Sequence, residues 1–146
     1  MIRAITIDFW NTTVDSSNGR ARRAERNDAL KDVYRALQRT WNAKEANDAF
    51  AVAYEEFERF WHGEQRTLSA DECLHVMWDH LKMDVPTTLH DETVRRIEDS
   101  ILAGMPALLP GAAEALGRLA ADHRLALISD TAFSPGRVLR KILEAH

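Results

Sequence analysis

Two short β-branched runs, one near each end of a long helical stretch, constrain the fold of this chain more than any other feature of its sequence. The first, Ile2 to Asp8, holds Ile2, Ala4, Ile5, Thr6 and Ile7. It is too continuously apolar for a strand with one wet face, and it predicts a buried strand of a parallel sheet. The second, "RLALIS" from Arg124 to Ser129, follows a turn at Pro110 and Gly111 and a helical segment with Ala112, Ala115, Leu116 and Leu119 on its inward face. A strand delivered by a helix predicts parallel pairing, and so an α/β fold. A last helix closes the chain, with Ser134 as N-cap, Pro135 in the first turn and Val138, Leu139, Ile142 and Leu143 facing inward.

Between the two runs, from about Arg20 to Leu102, the spacing is helical. Leu30, Val33, Tyr34, Leu37 and Trp41 recur at i, i+3, i+4, i+7 and i+11, and Ala46, Ala49, Phe50, Ala53, Tyr54, Phe57, Phe60 and Trp61 continue the stripe in a second helix. Ser69 and Glu72 form a capping-box pair that opens a third helix carrying Cys73, Val76, Met77, His80 and Leu81. Pro86 ends that region, and a fourth helix over roughly Asp91 to Leu102 turns Val94, Ile97 and Ile101 to one side. Four such helices predict a bundle separate from the strands. The aromatic side chains Trp41, Tyr54, Phe57, Phe60, Trp61 and Trp78 are expected in its core.

Composition excludes several partners. The 146 residues carry a formal net charge of −4, which offers no basic field to nucleic acid or to an anionic membrane. A single cysteine, Cys73, rules out an internal disulfide or a cysteine-rich metal site and fits a reducing, cytoplasmic setting. The apolar run before Asp8 is too short for a signal-peptide core, and no other run approaches the roughly 20 residues of a membrane span. His62, His75, His80 and His90 show no zinc-site spacing. "GRARRAER", Gly19 to Arg26, sets four arginines at the entrance to the helical stretch, either to meet an anionic substrate or as an ordinary solvated helix start.

The chemistry gathers at the strand ends. A carboxylate at the C-terminal end of a parallel strand faces the crevice where α/β proteins bind ligands, and there it can act as a nucleophile or hold a cation. Asp8 has that position. Behind it Asn11, Thr12 and Thr13 offer hydroxyls and backbone amides suited to an anion. Ser129 ends the second run in the equivalent place, with the backbone amides of Asp130 and Thr131 following. For each residue the alternative is a plain strand-terminal turn.

"ITIDFWNTTVD" resembles the first motif of the haloacid dehalogenase (HAD) superfamily of hydrolases, an apolar strand followed by Asp-x-Asp-x-Thr, and "RLALISDT" resembles its second motif, an apolar strand ending in Ser or Thr. The resemblance implies an α/β architecture with a partial Rossmann-like parallel sheet core, residues 1–14 and 106–146, and an inserted α-helical cap domain of type 1, residues 15–105. It implies Asp8 as nucleophile, Thr12, Ser129 and Asp130 as substrate-binding residues, and Asp8 with the Trp10 backbone carbonyl as ligands of Mg2+. The implied substrate is a small anionic metabolite, a phosphate ester or a haloacid-like compound.

Two departures qualify this. Trp10 stands where phosphatase members keep the second Asp that serves as acid and base; dehalogenase and phosphonate-hydrolase members also lack that Asp. The family's third motif, a Lys or Arg, and its fourth, an acidic pair, lie beyond the second motif and its helix, and Lys141 does not match that lysine in context. The chain is therefore expected to be inactive or nearly so by itself. Two strands cannot cover two helices, so the missing strands are expected from a longer form of the protein or from another copy or chain. The uncovered edge predicts self-association or a complementing C-terminal fragment. A non-catalytic binding or assembly module on the same fold is the competing expectation.

Overall fold

The structure, a computed structural model, describes residues 2–146. Strands β1 (Ala4–Asp8) and β2 (Arg124–Ile128) pair in parallel, with Asp8 opposite Ile128. Between them lie α1 (Gly19–Ala36), α2 (Ala43–Glu64), α3 (Ala70–Leu81), α4 (Thr87–Asp99), a 3-10 turn over Ser100–Gly104, and α5 (Ala112–Asp122); α6 (Gly136–Glu144) follows β2. The protein is thus mixed α/β and mostly helical, with the short parallel sheet of a partial Rossmann-like core.

Helices α1 to α4 close around one core. Leu30, Val33 and Tyr34 of α1 meet Cys73, Leu74, Met77 and Trp78 of α3 and Ile97 of α4, while α2 contributes only the small residues Ala46, Ala49 and Ala53 to the fully buried set. Small side chains on that face let α2 approach closely, and its larger Phe50, Phe57 and Phe60 pack at the margin. Both halves of the capping box form at the start of α3: Ser69 Oγ accepts from the Glu72 N–H at 3.2 Å, and the Glu72 carboxylate accepts from the Ser69 N–H at 2.8 Å. Two boundaries differ from expectation. Gln38, at φ 55°, turns the backbone left-handed after α1, so Trp41 leaves the helical stripe and instead packs edge-on against Tyr34 at 5.1 Å. Helix α4 begins at Thr87, with Pro86 as its N-cap, because the fixed φ of proline suits a helix start as well as it ends the segment before.

The sheet has its own apolar cluster, formed by Phe9, Val14, Ile101, Val138, Leu139 and Ile142, with Trp10, Leu108 and Leu127 packed against it. Here the expectation of strands buried on both faces fails. Exposure alternates along both strands: Ile5, Ile7, Leu125 and Leu127 are half-buried, whereas Ala4, Thr6, Ala126 and Ile128 are exposed, Ile128 to 61%. Helix α6 covers one face, and no second layer closes the other among the described residues. Helix α5 contacts β2 but buries none of its residues, so Ala112, Ala115, Leu116 and Leu119 are only half-covered. Ser134 is not the N-cap of α6; it is buried, Pro135 takes that place without a side-chain bond, and the Ser134 carbonyl accepts from Thr131 Oγ1 at 2.6 Å.

Two connectors join helices and sheet and run antiparallel. Val14 bridges Leu108, the Asp15 N–H donates to the Ala107 carbonyl at 2.8 Å, and the Leu109 N–H donates to the Thr13 carbonyl at 3.0 Å. Gly104 lies where the second connector begins; a Cβ there would stand 3.0 Å from the Asn18 carbonyl oxygen and 3.2 Å from the Ala21 Cβ. Arg137 of α6 pairs with Glu98 and Asp99 at the end of α4 and fixes the sheet side to the helical side. No helix among the described residues is long and apolar enough to cross a membrane.

Candidate active site

The chain turns sharply as soon as β1 ends. The Phe9 carbonyl accepts from the N–H groups of both Thr13 and Val14 at 3.0 Å, and Asn11, at φ 57°, takes the left-handed corner that asparagine tolerates better than most side chains. Phe9 is fully buried and anchors the turn to the cluster under the sheet. The turn brings Thr12 back over the strand end, where its Oγ1 donates to Asp8 Oδ2 at 2.8 Å. Thr13 Oγ1 donates to the Asp8 backbone carbonyl at 2.9 Å. The adjacent threonines therefore divide the work: buried Thr13 holds the backbone and has no hydroxyl proton left for a ligand, and exposed Thr12 orients the carboxylate. The second carboxylate oxygen of Asp8 has no partner among the described residues and faces solvent.

Ser129 lies one residue beyond the Asp8–Ile128 pair, so parallel pairing brings Asp8 and Ser129 to the same end of the sheet. The Ser129 Oγ is buried without a hydrogen-bond partner among the described residues, as are the Tyr34 hydroxyl and His123 Nδ1. An orphaned buried hydroxyl costs about 1–3 kcal/mol. Of the three, only Ser129 stands at the carboxyl end of a strand. Asp130 beside it is exposed, and its backbone amide, not its carboxylate, has the polarity to meet an anion. Thr12 is hydrogen-bonded to Asp8; Ser129 and Asp130 share their end of the sheet and make no hydrogen bond to either among the described residues. Ser129 also lines an open groove of about 550 Å³ along β2 and α6, which Asp8 does not reach.

Trp10 packs edge-on against Phe9, with ring centroids 4.8 Å apart and planes at 85°, and is half-buried. Its side chain is thus structural, while its carbonyl oxygen accepts none of the turn's backbone hydrogen bonds. That carbonyl and the open Asp8 oxygen are the hard oxygen donors a magnesium ion prefers, so the site fits Mg2+ in kind. An octahedral set needs further oxygens from water or from other groups.

One constellation escaped the sequence. Asp71 and His75, one turn apart on α3, meet His90 of α4, with ligand atoms all within 4.8 Å of one another. The neighbours settle what this group does. His90, 6% exposed, accepts at Nδ1 from the Trp78 indole N–H at 2.9 Å, and an indole can only donate. The neutral ring therefore carries its proton on Nε2, which donates to Asp71 at 2.8 Å. A protonated Nε2 is no metal ligand, so the cluster is a hydrogen-bond relay that ties α3 to α4. The i, i+4 spacing of Asp71 and His75 was visible in the sequence; their meeting with His90 depends on how the helices cross.

No family model matches the sequence, and no curated protein matches it. Among solved structures, the chain is similar to the HAD-hydrolase YfnB from Bacillus subtilis, a structure bound to magnesium, at a TM-score of 0.53 and 15% identity, over 99% of this chain and 59% of that one. A second similar structure is CbbY from Rhodobacter sphaeroides in complex with xylulose-(1,5)bisphosphate, at a TM-score of 0.45 and 20% identity, over 90% of this chain and 52% of that one. The chain thus spans between half and three fifths of the length of these two proteins. The likeness to the first is one of fold: this protein has a HAD-like fold.

Proposed function

We propose that this chain serves a HAD-like hydrolase in which Asp8 attacks a small anionic substrate, with residues 1–14 and 106–146 as core and residues 15–105 as cap. The observation that carries the reading is the Thr12-to-Asp8 hydrogen bond at the end of a parallel strand whose neighbour ends in an unpartnered serine hydroxyl. Thr12 holds one carboxylate oxygen, which leaves the other free to attack a phosphorus or carbon centre. A bond forms from that oxygen to the centre, and the bond to the leaving oxygen or halide breaks with its electron pair. Ser129 and the Asp130 amide hold the substrate's anionic oxygens, in the place where the orphaned Oγ lacks a partner. Mg2+, held by Asp8 and the Trp10 carbonyl, would supply charge neutralisation between the carboxylate and an anionic substrate. The open Asp8 oxygen faces solvent in this structure, so exclusion of water would require the helical cap to close over the site.

Hydrolysis of the covalent Asp8 adduct, an acyl phosphate or a carboxylic ester according to the centre attacked, is the slow half. Trp10 has no titratable group with which to activate water, and general acid–base help is worth a factor of about 10² to 10⁴. Turnover of phosphate esters by this chain alone is therefore small or nil, and the Asp8 adduct accumulates. Intact-mass spectrometry after incubation with acetyl phosphate and Mg2+, or with 2-chloropropionate, tests this. The expected result is a hydroxylamine-labile adduct from one of the two reagents that Asp8→Asn abolishes. Neither adduct on the unsubstituted chain, or an adduct that survives Asp8→Asn, sinks the reading and favours a binding module on the same fold. Trp10→Asp should restore turnover of 4-nitrophenyl phosphate by about 10²-fold or more over the unsubstituted chain, at some cost in packing against Phe9.

A further inference from the structure

A cavity of about 510 Å³ opens between the start of α1, the middle of α2 and the loop after β2. Its polar side carries Arg22, Arg23 and Arg26, one turn of α1. None of these guanidinium groups has a carboxylate within 4.0 Å among the described residues, in contrast to Arg96, held between Glu25 and Asp32, and Arg137, held by Glu98 and Asp99. Arg22 is bound instead to the backbone carbonyls of Asn18 and Ser16. Asp15 acts on Arg22 from a distance, but its own carboxylate accepts from the Ser17 N–H and hydroxyl at 2.8 and 2.7 Å. Arg26 donates from Nε to Ser100 Oγ at 2.9 Å and stacks over the Phe133 ring at 4.4 Å. Burial, with the charges of Arg22 and Arg23 nearby, pushes Arg26 down to about 10. Three cations thus face one cavity with no carboxylate in contact, and for Arg26, the most buried of them, an anion in the cavity would offset the cost of burial.

Much of the remaining wall is aromatic, beside Asn27, Asn47 and several small residues. Phe50, Phe57 and Phe133 line the cavity, and Tyr54 stands at its edge, 63% exposed and stacked on Phe57 at 6.2 Å with the planes at 17°. The same cavity continues from the two loops that leave the strands. Ser16, on its wall, donates from Oγ to Asn11 Oδ1 at 2.7 Å within the Asp8 turn, and Ala132 and Phe133 follow directly after Asp130 and Thr131.

We infer that this cavity binds an organic anion with an apolar or aromatic body, its acid group against Arg22, Arg23 and Arg26 and its body against Phe50, Tyr54, Phe57 and Phe133. The inference stands apart from the hydrolase reading, since none of Asp8, Ser129 and Asp130 lines this cavity. A volume within the range of about 300–1,000 Å³ typical of small-molecule sites suits a single aryl or short alkyl acid. Inorganic phosphate or a sugar phosphate would leave the aromatic walls unused.

Calorimetric titration of the Asp8→Asn chain separates binding from chemistry, because that substitution blocks the proposed attack and leaves the cavity intact. The probes are phenylphosphonate, methylphosphonate and inorganic phosphate. Phenylphosphonate should bind about tenfold or more tightly than methylphosphonate, since only its ring gains apolar contact. Adding Arg26→Met should weaken it about tenfold or more, as loss of a charged hydrogen bond does. Arg26 also holds Ser100 and Phe133, so Arg23→Gln, at an exposed residue with no hydrogen bond in the fold, serves as the second variant and should weaken binding about threefold. Equal affinity for the three probes, no binding of any, or phenylphosphonate affinity unchanged in both arginine variants overturns the inference. Cavity binding without an Asp8 adduct on the unsubstituted chain would instead retain the inference and remove the hydrolase reading.

Discussion

The two halves of this molecule solve the same packing problem unequally. Helices α1 to α4 turn their apolar stripes toward one another and bury Leu30, Tyr34, Leu74, Met77 and Ile97 almost completely. The two strands bury none of their own residues fully, and α5 buries none either. A helix needs only one covered stripe, which three neighbours can supply, whereas a parallel strand has two faces and two edges to cover. The helical half therefore closes with the residues it has, and the sheet leaves Ile128 and its neighbours open.

The comparison breaks most sharply by mutation. Leu74→Ala in the helical core should cost about 2–5 kcal/mol, measured by urea unfolding at constant slope. Ile128→Ser on the open sheet face should change stability by less than about 0.5 kcal/mol. If the two losses are similar, the sheet face is covered in solution, and sedimentation should then reveal an assembly that Ile128→Ser dissolves. Next in size is the seam between the halves. Gly104→Ala puts a Cβ against the backbone of Asn18 and should cost about 1–3 kcal/mol, read as a lowered Tm. A Tm unchanged from the parent would mean that the connectors part easily.

The smallest effect is electrostatic. The Ser69 N–H holds the Glu72 carboxyl below its usual range, with Arg66 adding to this at 2.9 Å. A depressed carboxyl stabilises the fold above its unfolded pKa, and the contribution is lost as pH falls through the folded value. Glu72→Gln should therefore cost a few tenths of a kcal/mol near neutral pH, and the gap to the unsubstituted chain should close in acid. A gap that widens in acid would contradict the capping geometry.

What was legible in the sequence follows from range. The capping box of Ser69 and Glu72 was readable because both bonds span three residues on one helical turn. Asp8 as the last residue of a strand was readable from the β-branched run that precedes it. Trp41 misled because periodicity continues past a break that one left-handed residue, Gln38, imposes. Ser134 misled because a serine followed by proline is a good cap in isolation, and burial in the loop took it elsewhere. The strands read as doubly buried because composition reports which side chains seek cover and not whether a second layer exists to provide it.

By itself, the sequence determined the α/β order of elements, the four amphipathic helices and the residues at the strand ends, since each depends on neighbours at fixed spacing. The tertiary structure alone decided that Thr12 and not Thr13 meets the Asp8 carboxylate, that Trp78 fixes the proton on His90, and that Arg26 stacks on a phenylalanine more than a hundred residues away with no carboxylate beside it. Those outcomes turn on ångström-scale placement of segments remote in the chain, which spacing along a sequence does not encode.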